Sequence, residues 1–386
     1  MKHSIKDACS GNQRMYFFDD NIQALCEFSV IDEDFKVLAV YIGNEFISSN
    51  IFLLKDCIYI TSFQTTDFLK YDIKLGTLIK IVSNDIDSNL EWPNIYDHHM
   101  ISNNRLWSFP NYQGKPIYYY DFESGFSIDK KLCNIYVLEC NDESVSRFST
   151  NFNNTYWKAF YKTNKYLKYD LQSQTVKLYV ISDSEIQINS ISFDGEFLWA
   201  TLANSATIIK CTQEGEILNI FEDIEGLGEE IFSRLYCIEQ YIIGVPRFGD
   251  FILFIDKNLN DTKRVYLREI NPELDIKMDG CSKILKCLKY GNKLFFWGFG
   301  IDALILTDID GNSARYIPIK FTKDDLEKIT RIKMIKNSII FENGTRSFPN
   351  FLLGIVENSN RIEKHYEIDR GSSGNKIYEV IGKENS

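Results

Sequence analysis

Four histidines are the first residues that could do chemistry: His3, His98, His99 and His365. His98 and His99 are adjacent, and adjacent strand residues point to opposite faces, so the two cannot converge on one metal ion. A metal site needs three or four converging ligands. No second cluster of His and Cys accompanies the pair, so neither a metal nor a cofactor is expected. The nine cysteines form an odd, dispersed set without a C-x-x-C pair. Most sit among apolar neighbours, as Cys211 and Cys237 do, and read as buried reduced thiols. Gly298 to Ala303 fits G-x-G-x-x-A, but a dinucleotide site needs a helix next, and residues 304–307 read as a strand. Asp308-Ile309-Asp310-Gly311 opens like a calcium loop, lacks the remaining ligands and reads as a turn. No G-x-S-x-G elbow is present.

With no catalytic constellation to anchor the reading, composition bounds it. The chain has 386 residues, 44% hydrophobic and 25% charged, an ordinary globular composition. No apolar run approaches the roughly 20 residues of a membrane helix. The formal net charge is −11. Binding to nucleic acid or to an anionic membrane needs a basic patch, and no basic run exceeds the pair Lys130-Lys131. Neither partner is expected. The N-terminus lacks the apolar stretch of a secretory signal, and unpaired cysteines suit a reducing compartment. The expected location is cytoplasmic.

The 28 Phe and 22 Tyr against 5 Met favour strands, and the strands come in a repeat. The stretch from Ile188 to Phe221 reads as strand, Asp194-Gly195 turn, strand 197–200, loop, strand 207–211, Glu214-Gly215 turn, strand 217–221. The same order recurs with second-strand anchors at Tyr59, Trp107, Trp157, Trp199, Ile243 and Phe295, 42 to 52 residues apart. Weaker copies at residues 14–18 and 337–341 flank these six.

A four-stranded antiparallel unit repeated every 40 to 50 residues predicts an all-β fold, a single β-propeller over 1–386. The expected units are 1–40, 41–82, 90–133, 143–180, 186–221, 230–267, 281–320 and 330–368. Eight units make eight blades, or seven if the terminal units share one. Thr322 caps an expected helix over 322–334, an insert between the last two units.

On these residues, best on Asp194-Gly195-Glu196-Phe197-Leu198-Trp199, the chain resembles the NHL, quinoprotein-like and virginiamycin B lyase-like propellers. The Trp-Asp signature of WD40 blades is absent. The resemblance implies that ligands bind on the face carrying the B–C and D–A connections, with strands lettered A to D from axis to rim. B–C loops such as those starting at Phe109 and holding Arg247 would offer an aromatic rim, and loops on a rigid scaffold carry binding. Counting ten residues back from the strand-B anchors gives Ser49, Asp97, Arg147, Asn189 and Ser233, all polar, as a ring at the channel mouth. The expected ligand-binding residues are Asp97, His98, Arg147, Asn189, Arg234, Trp92, Phe109 and Arg247. The expected function is a cytoplasmic scaffold for a peptide, protein or small ligand. The resemblance also leaves open a metal-dependent lyase or lactonase at the channel, to which Asp97, His98 and Asn189 could supply groups.

Overall fold

The computed structural model describes residues 3–43, 46–63, 65–82, 96, 98–110, 116–133, 145–160, 162–203, 205–221, 232–246, 251–259, 261–270 and 284–332. Blade 1 consists of β1 (His3–Gly11), β2 (Arg14–Asp19), β3 (Ala24–Ser29) and β4 (Phe35–Val40). Blade 2 has β5 (Ser48–Leu54), β6 (Cys57–Ser62), β7 (Phe68–Asp72) and β8 (Thr77–Ile81). Blade 3 has β9 (His98–Ser102), β10 (Arg105–Phe109), β11 (Tyr118–Asp121) and β12 (Gly125–Ile128). Blade 4 has β13 (Val145–Phe152), β14 (Thr155–Phe160), β15 (Lys165–Asp170) and β16 (Thr175–Val180). Blade 5 has β17 (Ile188–Phe193), β18 (Leu198–Leu202), β19 (Ile208–Cys211) and β20 (Ile217–Phe221). Blade 6 has β21 (Phe232–Ile238), β22 (Tyr241–Pro246), β23 (Phe251–Asp256) and β24 (Thr262–Tyr266). Blade 7 has β25 (Ile284–Tyr290), β26 (Lys293–Ile301), β27 (Ala303–Asp308) and β28 (Arg315–Pro318). Within each blade the four strands pair antiparallel in chain order.

Local sequence explains the turns. The first hairpin of blade 3 has two loop residues, Asn103 and Asn104, at φ of 52° and 58°. That is the turn that matches the twist of paired strands, and Asn tolerates it. The recurring aspartate that ends the third strand is a turn cap. Asp72 Oδ1 accepts the N–H groups of Lys74 and Leu75, each at 2.9 Å. Asp121, Asp170 and Asp256 do the same for the residues two and three further on. The repeated strand ending in Asp is thus a folding signal, not a catalytic one.

The blades form a ring. The first strand of each touches the first strand of the next, from β1 through β5, β9, β13, β17, β21 and β25 back to β1. These strands therefore line the axis. Each of the seven seams between consecutive blades holds one cluster of buried apolar side chains. Aromatic rings fill the seams: Phe109 stacks on Tyr156 at 4.2 Å between blades 3 and 4, and Trp157 meets Phe193 at 5.2 Å between blades 4 and 5. Each large side chain buried this way contributes about 1.5–3 kcal/mol, which accounts for the aromatic excess.

The ring has seven blades, and the two ends do not share one. Blades 1 and 7 each own four consecutive strands and are joined directly by backbone pairing of β1 with β26, at His3 with Ile301 and Ser4 with Phe299. Of the eighth unit expected at 330–368, only residues 330–332 are described. They lie in a helix, and the rest of that unit lies outside the described residues.

That helix, residues 323–332, closes the same seam from the rim. Thr322 caps it as expected, its Oγ accepting the Asp325 N–H at 3.1 Å. Ile329 and Ile332 join the apolar cluster between blades 7 and 1. Asp325, itself buried, accepts the Val37 N–H on the outer strand of blade 1 at 3.2 Å, and Lys328 Nζ approaches the Val37 carbonyl at 3.5 Å. An otherwise open strand edge is thereby capped. Asp325→Ala is expected to lower unfolding free energy by about 1–2 kcal/mol, through the Val37 amide left unsatisfied and the lost hydroxyl bond from Thr322. Urea unfolding reads this directly, and a change within about 0.3 kcal/mol, below the error of such extrapolations, would remove the clasp role.

Candidate functional site

The inner strands carry a repeated irregularity. In six of the seven, pairing with the second strand slips by a β-bulge near the same end: around Lys6-Asp7, Ser49-Asn50, Arg147, Asn189, Ser233 and Leu285. A bulge bends its strand and re-aims a side chain. It lies at the end of each strand facing the B–C and D–A connections, which is the mouth of the channel.

Around that mouth, side chains hydrogen-bond from blade to blade. Lys286 Nζ of blade 7 lies 2.7 Å from Asp7 Oδ1 of blade 1. Asp7 Oδ2 accepts the Asn50 side-chain N–H at 3.2 Å and the Ile51 N–H at 3.1 Å, both in blade 2. Asn50 Oδ1 accepts the His99 N–H of blade 3 at 3.2 Å. His98 Nδ1 lies 2.9 Å from Ser149 Oγ in blade 4. Asn189 in blade 5 donates to the Phe232 carbonyl of blade 6 at 2.6 Å. His99 is held on both ring nitrogens, 2.9 Å from Ser108 Oγ and 2.9 Å from the Tyr96 carbonyl. Buried polar groups need such partners; those of Asp7, Asn50, His98 and Asn189 sit in the neighbouring blade, and Ser108, the partner of His99 Nδ1, sits in its own.

Charge follows the same arrangement. Burial works against the Lys286 ammonium, but Asp7 beside it outweighs burial and raises its pKa above the ordinary lysine value. Lys6 and Asp20 form a second pair near this end at 3.0 Å, where burial pushes the Asp20 carboxyl up despite Lys6 and Ser48. Cys9 and Cys26 are pushed up strongly by burial, and Cys211 and Cys237 to about 12. The seven cysteines among the described residues are all free.

The rim of this face is pinned in the same way. Gln23, in the B–C loop of blade 1, bonds the N–H and carbonyl of Phe46 at 2.8 Å each, and Asp20 takes the Ser48 N–H and hydroxyl. Blade 4 repeats the device with backbone alone, Ile188 N–H to the Thr163 carbonyl at 2.7 Å. Each B–C loop so described holds the connection into the next blade.

Three expected site residues are brought to this belt. His98 is buried at the start of β9, Asn189 is buried at the bulge of β17, and Arg234 is half-buried on β21 just past its bulge. Arg147 lies at the bulge of β13 by its backbone. Asp97, Trp92 and Arg247 lie outside the described residues. Phe109 must be corrected. It is fully buried against Tyr156 and Tyr169, so it seals the seam between blades 3 and 4 and offers no ring to a ligand. Sequence reasoning missed Asp7, Asn50, Ser149 and Lys286. The ten-residue count from Phe295 lands on Leu285, one residue short of the lysine that follows the bulge.

No known family model matches the chain, and no curated protein matches its sequence. Solved structures do match. Virginiamycin B lyase from Staphylococcus aureus aligns with a TM-score of 0.57 at 12% identity, over 76% of this chain and 92% of that one. YCF48 from Cyanidioschyzon merolae aligns at 0.57 and 12%, over 79% and 95%. A structure of YCF48 bound to D1 peptide aligns at 0.59 and 11%, over 79% and 91%. The likeness is one of fold. The chain is a seven-bladed β-propeller of the kind these structures share. That set joins a lyase and a peptide-bound protein, so the fold does not choose between catalysis and binding. Among the described residues, no group of three or more His, Cys, Asp and Glu is placed to hold a metal ion.

Proposed function

We propose that the protein is a binding scaffold that takes a peptide or protein segment across the channel mouth, on the face of the B–C and D–A connections. One observation carries the reading: a series of polar side chains at the mouth is engaged with the neighbouring blade, Asp7 with Asn50, His98 with Ser149 and Asn189 with the Phe232 carbonyl. Groups held this way make a pre-ordered surface. A rigid surface binds without the cost of ordering it. The peptide-bound YCF48 structure supports the reading as a precedent in the same fold. The free cysteines among the described residues support a reducing, cytoplasmic setting.

Panning a random dodecapeptide display library against the immobilised protein tests this. The expected result is a small set of related peptides that bind saturably and lose binding when the rim hydrogen bonds of Gln23 are removed by Gln23→Ala. Enrichment no better than on a blank surface would sink the proposal.

A further inference from the structure

We infer that Ser149 is a nucleophile at the channel mouth, with His98 as its general base, and takes the acyl group of a carboxylic ester. This goes beyond the scaffold reading and does not rest on it.

The backbone singles out this place. The bulges of β1, β5, β17, β21 and β25 each insert one extra residue. In β13 the paired residues Val145 and Ser149 are four positions apart while their partners Phe160 and Lys158 are two apart, so this bulge holds two extra residues. A larger bulge bends its strand further, and bulges that re-aim side chains gather next to active sites. Ser149 is the first paired residue past it.

Three groups meet there. Ser149 Oγ lies 2.9 Å from His98 Nδ1, across the seam in blade 3. Lys158 stands directly opposite Ser149 in the ladder with β14, so the two side chains share a face of the sheet. That face meets blade 3: the Lys158 ammonium, fully buried, donates to the Pro110 carbonyl at 2.7 Å. His98 is buried and Ser149 half-buried, so Ser149 is the member of the three most open to the mouth. Ser190 shows what the same register position does when it only holds the fold. It is the first paired residue past the bulge of β17, and its hydroxyl and N–H both bond Thr201 Oγ1 of its own blade, at 2.9 and 3.1 Å. In blade 4 an imidazole and an ammonium take the place of that neutral hydroxyl.

A serine hydroxyl is a weak nucleophile until a base within hydrogen-bond reach takes its proton. Here the hydroxyl donates to Nδ1 while Nε2 carries the ring proton. Ser149 Oγ adds to the ester carbonyl as its proton passes to His98 Nδ1. The tetrahedral intermediate collapses, the C–O bond to the leaving group breaks, and the leaving oxygen takes that proton. Water then attacks the acyl-serine, giving a proton to Nδ1, and Ser149 Oγ departs with it as a carboxylic acid is released. Ester and water become acid and alcohol, with no redox step. The Lys158 ammonium does not touch the ester in this scheme; its charge favours the negative charge that develops at each addition.

The test uses the full chain. It is treated with a fluorophosphonate probe, which phosphonylates activated serines, and its hydrolysis of p-nitrophenyl acetate is followed alongside. The expected result is an adduct mapped to Ser149 by mass spectrometry and absent from the heat-denatured chain. Ser149→Ala should bring hydrolysis down to the rate in buffer. His98→Gln should lower kcat about 100-fold or more with KM little changed, the scale of a lost general base. Labelling of the unmodified chain needs no variant, so it decides the matter even where a substitution prevents folding. An unlabelled Ser149, equal labelling of the native and heat-denatured chains, or undiminished hydrolysis by Ser149→Ala overturns the nucleophile. The scaffold reading is judged separately, by whether display-selected peptides bind Ser149→Ala as tightly as the unmodified chain.

Discussion

Trp199→Ala is expected to lower the unfolding free energy by about 3–5 kcal/mol, the range for emptying a large aromatic from a packed core. Trp199 is fully buried on the second strand of blade 5 and packs with Phe232, Leu235 and Leu253 of blade 6. Its ring lies 5.6 Å from Phe221, and the Lys210 ammonium approaches it at 5.5 Å. The indole N–H donates to Asp194 Oδ2 at 2.8 Å, and Asp194 also accepts the Glu196 and Phe197 N–H groups at the turn. Trp199→Phe should keep most of the packing and cost about 1–2 kcal/mol, chiefly through the lost hydrogen bond. Burial works against the Asp194 carboxylate, but its hydrogen bonds outweigh burial and hold its pKa below the usual range. A depressed folded pKa gives stability that is present above the unfolded value, about 3.9, and lost as pH falls through the folded one. The seam between blades 5 and 6 should therefore loosen in acid below about pH 4. Urea unfolding of the two variants reads the effect; a loss under about 1 kcal/mol for Trp199→Ala would mean that this seam does not hold the ring.

The second large effect is expected at Asp7, where three blades meet. Asp7→Ala removes the acceptor for Lys286 in blade 7 and for Asn50 and Ile51 in blade 2. Breaking a buried pair from one side costs about 3–5 kcal/mol because the partner charge stays behind. The Lys286 side chain keeps some contact with water, so about 2–4 kcal/mol is the expectation. Asp7→Ala combined with Lys286→Met should recover part of that loss, since the double change leaves no orphan charge. A double-mutant cycle isolates the coupling. Additive losses would show that the two side chains act independently and that the belt is not continuous from blade 7 to blade 1.

The repeat was legible because its signals are short-range. Asn103-Asn104 makes its own hairpin turn, Asp72 caps its own turn, and Trp199 marks a second strand through its immediate neighbours. Blade number was less legible. Ring closure depends on pairing between residues almost 300 positions apart, His3 with Ile301, which no local pattern encodes. Of the site, the register count found the bulge positions Ser49, Arg147, Asn189 and Ser233, because each bulge stands at a fixed distance from its hairpin. It passed over Asp7 and Lys286, whose pairing exists only once blade 7 meets blade 1. Phe109 misled for a related reason. An aromatic that opens a loop reads the same whether it faces solvent or, as here, the adjacent blade.

The most direct measurement is a hydrogen–deuterium exchange footprint of the full chain with and without a display-selected peptide. If the channel mouth is the binding face, added peptide slows exchange in the loops between the second and third strands and at the mouth ends of the inner strands, residues 232–236 and 284–288. The hairpin turns at 103–104 and 239–240, at the opposite ends of the strands, are expected to be unchanged. Protection confined to those turns, or to the outermost strands of the blades, would contradict a mouth-face scaffold.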